Sequence, residues 1–435
     1  MRREEARTQV LRYIERHKEE IVDWLAKHIA HRSECGNELD AQRWIRDQFK
    51  EMSIFDKIDF WPADATGKRP NVVGIVGGRS TARGKKLILN GHGDVVPVSE
   101  DQRKRWSVDP WKATIRKGRV YGRGANDMKG GNAAMIWAAR AIRDVGLSLA
   151  NDLIVEIVVG EEEGQGLGTN AAIKRGYVAP FVIVTESTCC ELSPVSVGNF
   201  DYKLNVDGRD CCNFVRNMLL YPQRYGTPVG PEVGVDAFEK TMKLVGVFRE
   251  LERQWNIRWR DELTGVGAHG VGQFSIAVSI VRSGTYFSSV PGSCEIIGEV
   301  YYPSWINGSR VIREMKQVLT NISGTDDWLA KHAPKLKAPF TFHLRPINVS
   351  RNHPGCRALA NAYIEALSKT PIFSTYVTVC DASWFAKHGM PAVVFGPGGY
   401  WMGTHGVDEF VPIEDVIECC KALAIMAIDW CNIAD

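Results

Sequence analysis

The sequence contains no long apolar run and no excess of charge of either sign. It lacks an uncharged apolar stretch of the ~18 residues that a membrane-spanning helix needs. Lysine plus arginine (54) nearly balance aspartate plus glutamate (51), so the net charge of +3 gives no reason to expect nucleic acid as a partner. The charged N-terminal segment also lacks the apolar core of a secretory signal. These absences predict a cytoplasmic protein that acts on neither membranes nor nucleic acid.

The cysteines do not form the pattern of a disulfide framework or a zinc ribbon. There are eleven, an odd number, and six of them stand in adjacent pairs that rarely bond to each other. Reduced thiols are therefore expected. With 435 residues, 44% hydrophobic and 24% charged, the chain has the composition of a globular protein and exceeds the usual single-domain length. Two or more domains are expected.

Short apolar runs alternate with amphipathic stretches in the first 190 residues. Residues 72–76, 87–89, 153–159 and 181–184 are typical of buried strands, and 131–145 is typical of a helix. The pattern predicts an α/β domain with a mixed, mainly parallel sheet and helices on both faces.

A different order follows residue 198. Strands near 202–206, 274–281, 294–302 and 340–344, with helices near 235–255 and 311–322, give the order β-α-β-β-α-β of a ferredoxin-like module. A helix, a strand and a final helix then complete the first domain. The prediction is a catalytic domain formed by residues 1–197 and 348–435, with an inserted lid and dimerisation domain at 198–347.

Acidic and histidine side chains follow several of the predicted strands. These strand-end residues are His92, Asp94, Glu161, Glu162, Glu163, Glu186 and His405, and a glycine-rich turn adds Asp127. The carboxyl ends of strands in an open α/β sheet meet at the ligand crevice. Imidazole and carboxylate together form a ligand set that suits zinc, manganese or cobalt. The sequence thus predicts a metal site at this edge of the sheet.

The motifs resemble those of a known family of metallohydrolases, which includes acetylornithine deacetylase, succinyl-diaminopimelate desuccinylase, aminoacylase-1 and carboxypeptidase G. The segments that carry the resemblance are His92–Pro97, Trp106–Trp111, Tyr121–Gly124, Asp127–Gly130, Glu161–Glu163, Thr185–Glu186, Gly396–Gly398, His405 and Asp408–Glu409. They follow the order of the family over nearly the whole chain.

The resemblance implies two divalent metal ions (zinc, manganese or cobalt) per subunit, bridged by Asp127. His92 and Glu186 would complete one site, and Glu163 and His405 the other. Asp94 would hold the His92 imidazole through a hydrogen bond, and Glu162 would be the general base for a metal-bridging hydroxide. The resemblance also implies a cis peptide between Asp127 and Met128, and at least a homodimer.

The chain departs from the family in the inserted domain. Most relatives carry a histidine after the first strand of the lid, where this sequence has Cys212, and about fifteen extra residues follow. The residues expected to contact substrate are Cys212, Asn213, Arg216 and Ser289.

This departure leaves the substrate open. One interpretation is an N-acyl amino acid deacylase or peptidase, which cleaves a C–N bond of a small carboxylate-bearing substrate. An alternative is an aminohydrolase of an activated aromatic amine, as in the nitroanthranilate aminohydrolase branch, since that reaction forms no oxyanion for the missing histidine to stabilise. A distant alternative is a non-catalytic binding protein on the same scaffold.

Overall fold

The computed structural model describes residues 3–78, 85–215, 218, 230–260 and 274–434. The chain divides into two compact units. The large unit comprises the described residues up to Ser196 and from Ile347 onwards, and the small unit comprises those from Val197 to Pro346. None of the described helices combines the length and apolar character of a membrane span.

The large unit is built around a mixed sheet with the spatial order β1-β2-β6-β3-β7-β17-β8-β16. Its strands, numbered along the whole chain, are β1 (Lys57–Pro62), β2 (Pro70–Val76), β3 (Leu87–His92), β6 (Leu153–Val158), β7 (Phe181–Val184), β8 (Leu192–Ser196), β16 (Phe373–Tyr376) and β17 (Ala392–Val394). The central strands β6, β3, β7 and β17 run parallel. A smaller sheet contains β4 (Thr114–Arg116), β5 (Arg119–Tyr121) and β18 (Phe410–Pro412).

Helices cover both faces of the large sheet. They are α1 (Arg3–Arg16), α2 (Lys18–Ala30), α3 (Leu39–Met52), α5 (Gly130–Asp144), α6 (Leu167–Lys174), α9 (Pro354–Leu367), α10 (Ala382–Lys387) and α11 (Ile413–Cys431). The large unit also contains the short helix α4 (Glu100–Arg105), which has no buried residue. Successive strand residues point to opposite faces, so Leu87 and Leu89 join one core with α5 and α11, while Ile88 joins a second core with α6 and α10. This confirms the expected α/β architecture.

The small unit has an antiparallel sheet with its own core. Its sheet order is β11-β13-β9-β14, with β15 also paired to β9. The elements are β9 (Gly198–Asp207), β10 (Cys211–Cys212), α7 (Ala237–Arg258), β11 (Ser275–Ser283), β12 (Ser289–Val290), β13 (Ser293–Tyr302), α8 (Gly308–Ser323), β14 (Lys335–Lys337) and β15 (His343–Leu344). The predicted strand at 340–344 is wrong in its bounds, because Asp201 accepts backbone N–H groups of residues 340–342 and bends the chain there.

Candidate metal centre

Four carboxyl-terminal strand ends and one turn bring the titratable side chains of the large unit together. His92 is the last residue of β3, Glu186 follows β7, the Glu161–Glu163 triplet follows β6, and His405 lies in the loop after β17. Asp127 lies in a tight turn at Ala125–Lys129 that leads directly into α5. The peptide between Asp127 and Met128 is cis.

Asp127 lies at the centre of the cluster. One carboxylate oxygen is 3.1 Å from His92 Nε2, and the other is 3.2 Å from His405 Nε2. Glu186 Oε1 is 3.2 Å from His92 Nε2, and Glu162 Oε2 is 3.0 Å from His405 Nε2. A carboxylate that presents one oxygen to each imidazole has the geometry needed to bridge two cations.

The three glutamates of the triplet have different partners. Glu163 is 38% exposed, and its carboxylate accepts a hydrogen bond from Arg69 at 2.7 Å, away from the cluster. Glu162, expected to be only a base, occupies the position beside His405, and Glu161 Oε2 lies 3.9 Å from His92 Nε2. The structure thus brings Glu162 next to His405, one residue before the glutamate that was predicted for this position. The physical cause is Arg69, which also forms an ion pair with the buried Glu38.

Asp94 also differs from its predicted contact. His92 Nδ1 is 2.9 Å from the backbone oxygen of Asp94, whereas the nearest carboxylate oxygen is 3.7 Å away. The Asp94 carboxylate instead accepts from the backbone N–H groups of Gly160 and Glu162, at 2.9 and 3.2 Å. Asp94 therefore fixes the imidazole through its main chain and the triplet loop through its side chain.

The electrostatics show a buried excess of carboxylates. Burial raises the pKa of Glu162 to about 7, with a further contribution from the charge of Asp127, and burial also raises the pKa of Glu186. The hydrogen bonds to Asp127 and Glu162 raise the pKa of His405 to about 11. Burial alone would lower the pKa of His92, but hydrogen bonds to Asp127 and Glu186 raise it well above its usual value.

These features fit divalent cations. Groups of His92 with Asp127 and Glu162, and of His92 with Glu161 and Glu186, present ligand atoms within 4.8 Å of one another. Glu162 Oε1 is buried without a hydrogen-bond partner among the described residues. Buried carboxylates without enough counter-charge are costly, and metal ions would neutralise them with the oxygen and nitrogen ligands that they prefer.

Three of the four expected substrate contacts lie together in the small unit. Cys212 pairs with Ser289 across the β10–β12 ladder, and the Asn213 backbone N–H donates to Ser288 O. The Asn213 side-chain amide donates to Phe287 O at 2.9 Å, so that donor already has an acceptor. Arg216 and most of the long insert lie outside the described residues. All eleven cysteines are described, and all are free thiols.

Four residues that lie around the centre had no individual role predicted from the sequence. Glu161 lies within the cluster, Arg69 holds the triplet loop, and Arg123 and Glu409 form a buried pair beside Asp127. Arg123 and Glu409 stand within segments that carried the family resemblance, which was the available signal. Arg69 follows no motif, and nothing in the sequence pointed to it.

A mixed α/β sheet with two histidines and several carboxylates at its strand ends defines a metallohydrolase class of site. Residues 88–429 match Peptidase family M20/M25/M40, and the chain belongs to this family. The suspected family is thereby confirmed. The chain is a hydrolase that acts on carbon–nitrogen bonds in small substrates.

Individual relatives cover almost the whole chain. It is 30% identical over 434 residues to the N-formyl-4-amino-5-aminomethyl-2-methylpyrimidine deformylase of Bacillus subtilis, covering 96% of both chains. Human carnosine dipeptidase 1 has a similar fold, with a TM-score of 0.72 at 16% identity and 98% coverage of both chains. The YXEP protein of Bacillus subtilis, described as a dinuclear metal binding peptidase, has a TM-score of 0.60 at 12% identity, covering 95% of this chain and 98% of that chain.

Proposed function

We propose that this protein is a two-metal amide hydrolase that removes a small acyl group from the nitrogen of a small substrate. The observation that carries the proposal is the convergence of His92, Asp127, Glu162, Glu186 and His405 at the strand ends. The deformylase similarity supports an amide as the bond and a formyl-sized acyl group as one candidate.

The contacts support one set of metal ligands. Asp127 would bridge the two cations, His92 and Glu186 would hold one, and Glu162 and His405 would hold the other. Bound divalent ions supply Lewis acidity and lower the pKa of water, so that a hydroxide nucleophile exists near neutral pH. Zinc, manganese and cobalt all suit this ligand set.

The remaining protein groups position and move protons. His92 contacts the Asp94 carbonyl through Nδ1, which leaves Nε2 for a metal. Glu161, whose Oε2 lies 3.9 Å from His92 Nε2, is the general base in this proposal. Its carboxylate would accept a proton from the attacking water and return it to the nitrogen of the departing amine.

The small unit is proposed as a ferredoxin-like lid and dimerisation domain, because β11 ends the described sheet and carries exposed apolar groups. Ile280 and Val281 on this strand are 41% and 48% exposed, and Phe287 beyond it is 85% exposed. An apolar sheet edge favours pairing with a second copy. We therefore expect a homodimer by light scattering, and Val281→Lys should shift it toward monomer. A monomer at micromolar concentration in the unchanged protein would contradict this proposal.

A product assay on metal-loaded protein tests the activity. Formate and other acyl acids are measured with N-formyl aminopyrimidines and N-acyl amino acids, and ammonia is measured with aminoarenes, including nitroanthranilates. Two bound metals with acyl release are expected, and the His405→Ala variant serves as the inactive control. Ammonia release alone would establish the aryl aminohydrolase instead, the alternative that Cys212 favours. Two metals without any turnover would favour a binding protein.

A further inference from the structure

Glu409 has no role in the proposed chemistry, yet its carboxylate makes several contacts near the metal centre. Both Glu409 and its partner Arg123 are 1% exposed, and Arg123 Nη1 donates to Glu409 Oε2 at 2.6 Å. The same oxygen accepts from the backbone N–H of Gly124 at 2.9 Å. The other oxygen accepts from the backbone N–H groups of Asn126 and Asp127, at 2.9 and 3.1 Å. Four donors thus meet one carboxylate.

These contacts join the two loops that carry the Asp127 and His405 side chains. The Gly122 N–H donates to Glu409 O, extending the ladder between β5 and β18, and Arg123 Nη2 donates to Gly406 O at 2.9 Å. His405 itself has a left-handed backbone, with φ of 58°. Its loop therefore depends on tertiary contacts, since a residue other than glycine seldom adopts that conformation.

We infer that Glu409, through Arg123, is a positioning residue that fixes the distance between the bridging Asp127 and His405 and so builds the His405 half of the metal centre. The inference rests on the proposed two-metal function. The other half depends less on Glu409, because His92 and Glu186 are held by the ends of β3 and β7. Residues that orient metal ligands typically change metal affinity 10–100-fold when replaced.

The test compares zinc affinities of Glu409→Gln and of the unchanged protein, both stripped of metal and titrated against a chelator. The glutamine nitrogen is a donor and would face another donor at either oxygen position. We expect the weaker zinc to bind roughly 10–100-fold less tightly, with the tighter zinc changed less than about threefold. Glu414→Gln is the matched control, because Glu414 is exposed on the first turn of α11.

The His405→Ala variant is used to find which half of the metal centre Glu409→Gln affects. In that background the His405 half is already lost, so adding Glu409→Gln should change the remaining zinc affinity less than about threefold. The visible absorption spectrum during a cobalt titration gives a second readout. Only the absorption band that appears with the second equivalent of cobalt should change.

Arg123→Lys keeps the experiment decisive if Glu409→Gln does not fold. Lysine retains the positive charge but lacks the second nitrogen that reaches Gly406 O, so the same one-sided loss is expected at smaller size. Equal weakening of both zincs, or none in either variant, would overturn the inference, even if thermal stability falls. A wild-type protein that binds no second zinc would instead refute the proposed two-metal function.

Discussion

Two assignments of the metal ligand and the general base are possible within the Glu161–Glu163 triplet. Replacing each of these glutamates by glutamine, one at a time, distinguishes them. In the proposed function Glu162 is the ligand and Glu161 is the base, whereas the family resemblance implied Glu163 and Glu162. Glutamine has the same shape as glutamate but cannot accept a proton and is a poor metal ligand. The three variants therefore report ligation and proton transfer separately.

The expected sizes follow from the environments. Glu161→Gln should keep two metals and lose ~10²–10⁴-fold in kcat, the usual contribution of a general base. Glu162→Gln should lose the metal of the His405 half, because its carboxylate lies 3.0 Å from His405 Nε2. Glu163→Gln removes only a partly exposed ion pair with Arg69, a contribution of ~0.2–1 kcal/mol to stability.

Metal content by mass spectrometry after dialysis, and acyl release at saturating substrate, are measured on the same samples. The decisive comparison is between the Glu161→Gln and Glu163→Gln variants. A Glu163→Gln protein that lacks one metal, beside a Glu161→Gln protein of normal activity, would refute the geometric assignment and restore the one expected from the family.

Three further predictions concern stability. Arg69→Met leaves the fully buried Glu38 unpaired and should cost ~3–5 kcal/mol in urea denaturation; a loss below 1 kcal/mol would contradict the role of Arg69. Burial raises the pKa of Glu156 to about 8, so stability that depends on its proton is present near pH 4 and lost as the pH rises through 8. Glu156→Gln should therefore be more stable than the unchanged protein at pH 9, and parallel pH profiles would argue against this. Gly131→Ala places a Cβ 2.0 Å from a backbone oxygen and should lower the melting temperature sharply, whereas Gly246→Ala, in open space on a helix, should not.

The convergence of the site residues was predictable because the strands around it are buried on both faces. Their continuous apolar runs mark where each strand ends, and the strand ends of a parallel sheet meet at one edge. Strand β8 was not predicted from the sequence. It contains Pro194, which cannot donate a hydrogen bond to a neighbouring strand and which argues against a strand in the interior of a sheet.

The choice among three consecutive glutamates could not be made from the sequence. Their chemistry is identical, and the direction of Glu163 depends on Arg69, which is distant along the chain and is itself paired with Glu38. The role of Glu409 was hidden in the same way, because backbone N–H groups leave no trace in the sequence. Contacts with residues distant along the chain determine the direction of these side chains. Local sequence patterns predict only the helices and strands.

The position of β17 in the sheet has a consequence for how the protein is made. This strand pairs with β7 in the middle of the sheet, yet its residues begin at Ala392, long after β7 ends at Val184. At ~5–20 residues per second, a ribosome needs roughly 10–40 s to cover that interval. During this time the apolar edge of β7 has no partner strand, and it can pair with other chains. A chain truncated before Ala392 should accordingly aggregate rather than remain in solution.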